Sequence, residues 1–128
     1  MNDPQQELFS KLKVSIQNHG YYVYDGHLPP DGTPYPFVYM GEFRQYDTQN
    51  KTGICGYVHA VIHVWHNDTE RRGTVSKMMF DIKDIIRHCE YTDSYAWMVK
   101  NITQNIFSDN TTKQPLMHGV IEGDFYFS

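Results

Sequence analysis

The chain opens with an apolar stripe at helical spacing. Leu8, Leu12 and Ile16 recur every four residues with Phe9 beside them, which places their side chains on one face of an α-helix. Asp3 is positioned to cap its N-terminus, Pro4 fits the first helical position, and Gln6 stands three residues after the cap. Gly20 is placed to end the helix as a left-handed C-terminal cap. Tyr21 to Tyr24 predicts a short strand closed by Asp25-Gly26. Residues 27–36 then hold four prolines and a glycine, which predicts a stiff, irregular loop rather than a linker between domains.

The period next changes to two. Phe37 to Tyr46 reads as a strand, and Asp47 to Gly53 as a polar hairpin connection. Ile54 to His66 is the longest strand. Val58, Ala60, Ile62 and Val64 fall on one face of it, while Tyr57, His59, Val61, His63 and Trp65 alternate onto the other. A second face this rich in aromatic surface is expected not to lie bare to water. Asn67-Asp68-Thr69-Glu70 opens a second helix running to about His88. Its apolar side is Val75, Met78, Met79, Ile82, Ile85 and Ile86, and Lys77, Asp81, Lys83, Asp84 and Arg87 cover the rest. Gly73 lies in its first turns and blurs its start. Tyr95 to Phe107 and Leu116 to Phe127 are two further strands joined through residues 108–112. The order α-β-β-β-α-β-β, with hairpins predominating, predicts an α+β fold: an antiparallel or mixed β-sheet with two helices packed on one face.

Composition narrows the function. A length of 128 residues suits a single domain spanning 1–128, with one core. No apolar run approaches the ~20 residues of a membrane span. The first seven residues show neither a basic nor an apolar signal region, so a soluble cytoplasmic protein with reduced Cys55 and Cys89 is the expectation. Asn-x-Thr triplets at Asn67, Asn101 and Asn110 would matter only in a secretory pathway. The net charge of −4 lacks the basic excess of a sequence-independent nucleic-acid binder.

Candidate chemistry is sparse. His59, His63 and His66 are close in sequence, but four residues along a strand separate side chains by roughly 13 Å, far beyond two ligands of one metal ion. His66 also has the opposite parity to His63, so a site would have to borrow His118 or a carboxylate from another strand. Neither cysteine lies in a reactive motif, no nucleophile elbow is present, and Asp25-Gly26 and Asp31-Gly32 are turn dipeptides rather than phosphate loops. Glu122 and Asp124 share a strand face, and Asp81 and Asp84 a helix face, as solvated charges commonly do. No catalytic residue, cofactor or metal is predicted, and the chain does not read as an enzyme. Ten tyrosines, seven phenylalanines and two tryptophans instead point to protein contact. The candidate subunit or partner interface comprises Asp47, Gln49, Asn50, Lys51, Tyr57, His59, Trp65, Asp109 and Asn110, from the loops at 47–53 and 108–114 and the aromatic strand face.

Pro34-Tyr35-Pro36-Phe37-Val38-Tyr39-Met40-Gly41-Glu42 resembles the strand entry of the tail-completion proteins of long-tailed bacteriophages, also called tail terminators or tail-to-head joining proteins. Val61-Ile62-His63-Val64-Trp65 is similar to the family's β-branched strand with a late tryptophan. The helix from Asn67 to His88 and the closing strand Met117 to Phe125 are also similar to the family's, so the likeness spans nearly the whole chain. Pro29-Pro30 and the tyrosines at 21–24 lie outside it. The resemblance implies a virion assembly protein, a homo-hexameric ring that caps the tail tube, ends its polymerisation and joins tail to head. It implies the major tail tube protein and a head-completion or connector protein as partners. Genome DNA would pass through without specific contact, and the location would be the head–tail junction after assembly in the host cytoplasm. In that reading the 47–53 loop meets the tube or connector. A head-closure or stopper component is the nearest alternative. A small metal-binding enzyme built on distant histidines, and a host-encoded interaction module, are the others.

Overall fold

The computed structural model describes residues 3–48 and 53–128. Helix α1 (Pro4–Asn18) begins as its sequence dictates: the Asp3 carboxylate accepts the Gln6 N–H, and the proline sits where no N–H is needed. Gly20, at φ +110°, turns the chain out of the helix. Strand β1 (Val23–Tyr24) is short. Strands β2 (Phe37–Thr48) and β3 (Cys55–His66) form a hairpin, helix α2 (Arg72–Arg87) follows, and β4 (Trp97–Asp109) and β5 (Leu116–Phe127) form a second hairpin. The sheet order is β1-β2-β3-β5-β4; β1 runs parallel to β2 and every other pair is antiparallel. The architecture is therefore α+β with a mixed five-stranded sheet.

Both helices pack on the face carrying Val58, Ala60, Ile62 and Val64, and the core joins these to Leu8, Leu12 and Ile16 of α1 and Val75, Met78, Met79, Ile82 and Ile86 of α2. Each of the larger side chains that is fully buried here contributes about 1.5–3 kcal/mol. Polar tethers lock the layers. Tyr21 donates its hydroxyl to Asp81 at 2.5 Å, and Lys77 and His19 reach the same oxygen at 3.1 and 3.2 Å, tying the exit of α1 to α2. Burial and the Asp81 carboxylate push the Tyr21 phenol up to about 12. Asp81 is thus a structural acceptor rather than a solvated charge.

Several element boundaries differ from the sequence reading: β1 begins at Val23 rather than Tyr21, β2 runs on to Thr48 rather than ending at Tyr46, and β3 begins at Cys55 rather than Ile54. Helix α2 starts at Arg72, not Asn67, because Asp68 forms a turn of its own: its side chain accepts the Glu70 N–H at 3.0 Å and its carbonyl the Arg71 N–H at 3.1 Å. Strand β4 runs from Trp97 to Asp109 rather than Tyr95 to Phe107, since Tyr95 turns into the core against Trp97 and Phe127. Among the described residues no helix is long and apolar enough to cross a membrane.

Candidate interaction surface

The alternation that buries one face of β3 leaves the other partly exposed, and among the described residues no helix packs on it. The register of four strands arranges this face in three rows. Tyr46, Tyr57 and Tyr126 face one another across β2, β3 and β5. Their rings stack in sequence, with centroids 4.8 and 5.1 Å apart, and the Lys100 ammonium lies 4.9 Å from the Tyr126 centroid. Tyr46 and Tyr126 remain 44% and 37% exposed, so both ends of the row are open to solvent.

In the middle row His59 lies opposite Asp124. Its Nδ1 is 2.7 Å from Asp124 Oδ1 and its Nε2 is 3.4 Å from Glu122 Oε1, so both ring nitrogens face carboxylates, as an imidazolium requires. The hydrogen bond to Asp124 raises the His59 pKa. Burial pushes Asp124 up, but hydrogen bonds from His59 and Asn101 outweigh it and hold the carboxyl below its usual range. Glu122 and Asp124 are therefore His59 partners, not the solvated charges their spacing alone implied.

The third row is aromatic and imidazole. His63 Nδ1 and His118 Nε2 are 2.7 Å apart, and the facing nitrogens serve one another as donor and acceptor. Trp65 stacks on His118 with centroids 3.6 Å apart and planes inclined by 11°, and Phe107 meets the same imidazole edge-on at 4.8 Å. Burial, reinforced by His63, pulls His118 down to about 4, and burial lowers His63 too. The loop at 27–36, with a cis Tyr35–Pro36 peptide, stands against this end, where Tyr35 packs on Phe37.

The interface residues predicted from sequence distribute unevenly. Tyr57 and His59 sit together in the first two rows, and Trp65 anchors the third. Asp47 is exposed at the far end of β2 opposite Gly56, whereas Asp109 ends β4 and Asn110 is exposed in the following turn. Gln49, Asn50 and Lys51 lie outside the described residues. Asp47 and Asp109 stand at opposite ends of the sheet, because β3 runs between them for about 33 Å. Glu122, Asp124, His118 and Tyr126 are the functional candidates that sequence reasoning did not place on this surface. Their shared parity along β5 was the available signal.

Burial raises the pKa of the Cys89 thiol, keeping it protonated. Among the described residues no group of three or more His, Cys, Asp or Glu side chains is disposed to hold a metal ion.

No protein-family model matches the chain, and no curated protein matches it by sequence. Among solved structures, it is similar to a chain from the virion of a native gene transfer agent particle, at 15% sequence identity and a TM-score of 0.64, over 98% of this chain and 95% of that one. The two chains share a fold along nearly their whole lengths.

Proposed function

We propose that this chain is a virion assembly protein of a long-tailed phage-type particle, and that it acts as the tail terminator. In this role it assembles as a six-membered ring, caps the finished tail tube and presents the surface to which the head connector docks. The observation that carries the reading is the end-to-end fold likeness to a virion chain, with almost nothing left over on either side. The uncovered sheet face adds support, since a ring of identical subunits needs one patch on each chain to meet a different patch on the next. The long edge strand β4 and the tyrosine row lie on one part of the molecule and the helix layer on another, which suits such head-to-tail contact.

The genetic test is deletion of the gene in the producing host. Overlong tails without heads are the expected outcome. Filled heads that leak DNA would instead assign the chain to the head-closure stopper, and normal particles would overturn a virion role. Light scattering complements this, because a hexamer of 15.1 kDa chains has a mass of about 91 kDa.

A further inference from the structure

A cleft of about 320 Å³ opens where the proline-rich loop and the β4–β5 turn flank the end of the uncovered sheet face. Its walls include the rings of Tyr35, Phe37 and Trp65. Two carboxylates, Asp31 and Asp109, also line it, and among the described residues no lysine, arginine or histidine does. The walls are preorganised. Thr33 bonds back to the Pro30 carbonyl through its hydroxyl at 2.6 Å, closing the loop turn, and Thr111 donates to Asp109 through both its N–H and its hydroxyl. Those two bonds hold the Asp109 carboxyl below its usual range, so it is ionised at neutral pH.

Aromatic faces attract cations, and carboxylates attract them again. A guanidinium satisfies both at once: it is planar enough to stack on a ring, and its five N–H donors meet several acceptors in a fixed plane. A quaternary ammonium has no donor for the carboxylates, and a lysine ammonium is a compact, strongly hydrated charge that does not stack. We propose that this cleft is a binding site for an arginine side chain presented by a partner protein. Asp31 and Asp109 pair with the guanidinium and the aromatic wall stacks on it. The proposal goes beyond the virion reading and does not depend on it.

Trp65 provides the reporter. Its indole N–H is buried with no hydrogen-bond partner, whereas that of Trp97 is fixed in the core by Thr92 at 2.9 Å. The ¹⁵N-labelled full chain is titrated with N-acetyl-arginine methylamide while both indole signals are followed, the Trp65 signal being identified by its loss in Trp65→Phe. A saturable shift of Trp65 but not Trp97 is expected, with a midpoint of about 10 mM, as suits one small cation. The lysine counterpart and tetramethylammonium are expected to bind at least about fivefold more weakly. Asp31→Asn, which removes an exposed carboxylate outside the turn bonds, should weaken binding about threefold, and the Asp31→Asn/Asp109→Asn pair about tenfold. An unsaturated response up to about 50 mM overturns the proposal. So does equal affinity for lysine or tetramethylammonium, or unchanged affinity in a folded Asp31→Asn chain.

Discussion

His118 shows how a single residue on this face couples structure to pH. It is 9% exposed, stacked on Trp65, met edge-on by Phe107 and bonded to His63, so protonating it places a charge away from water and beside a second imidazole. Its folded pKa of about 4 lies below the ordinary histidine value near 6.5. The stabilisation is therefore complete above pH ~6.5 and is lost as pH falls toward 4, because the unfolded chain takes up the proton first. At about 1.36 kcal/mol per pKa unit the loss reaches about 3 kcal/mol. His59 acts in the opposite sense: raised by Asp124, it stabilises below pH ~6.5 and ceases to as pH rises through its folded value. Stability should accordingly be greatest near pH 6.5. Urea unfolding at pH 7, 6, 5 and 4 should show a steep acid limb. His118→Gln should flatten that limb while lowering stability at pH 7 through the lost stack, and an unchanged slope would contradict the assignment.

At the scale of elements, the seating of α2 on the sheet depends on Gly119 in β5. A Cβ there would overlap the Met79 sulfur and lie 3.0 Å from Val75 Cγ1, and both side chains are fully buried without room to withdraw. Gly119→Ala should thus destabilise by about 1–3 kcal/mol, read as a lower urea midpoint with m unchanged. The sequence did not announce this glycine, because strand parity alone does not tell which helix lies above which residue. What periodicity carried was substantial. The stripe of Leu8, Leu12 and Ile16, the apolar side of α2 and the alternation in β3 emerged with their faces correctly assigned, since burial follows those periods directly. Strand order was not legible. That β5 inserts between β3 and β4 is a long-range fact, and it alone brings Asp124 to His59 and His118 to His63. Hence sequence reading named Tyr57, His59 and Trp65 and saw that His118 or a carboxylate would have to come from another strand, but did not place Asp124 or His118 beside them. The early start assigned to α2 has a local cause, as Asp68 competes for the backbone with its own turn.

For the whole molecule, charge and aromatic surface are segregated. Lys11, Lys13, Arg72, Lys77, Lys83 and Arg87 lie on the two helices, while the opposite sheet face is tyrosine-rich, and Glu122 and Asp124 beside the tyrosine row are matched by His59 and Glu42 by Arg44. A tyrosine row whose neighbouring charges are already paired loses little when it is covered, which suits burial against a neighbour. Tyr46 and Tyr126 are the exposed flanks of the tyrosine row. Replacing both with glutamate removes two ring contacts of about 0.5–1.5 kcal/mol each. It also places charges where partner contact would strip their water. The chain should stay folded, with a melting temperature lowered by several degrees. If the chain forms the proposed ring, its assembly should fail, seen as loss of a species of about 91 kDa in light scattering or of binding to purified tail tubes. A Tyr46→Phe/Tyr126→Phe chain keeps the rings and should assemble as the parent does. If the glutamate variant remains folded and assembles normally, the tyrosine row is not the contact surface, and the edge of β4 becomes the part of the sheet to test.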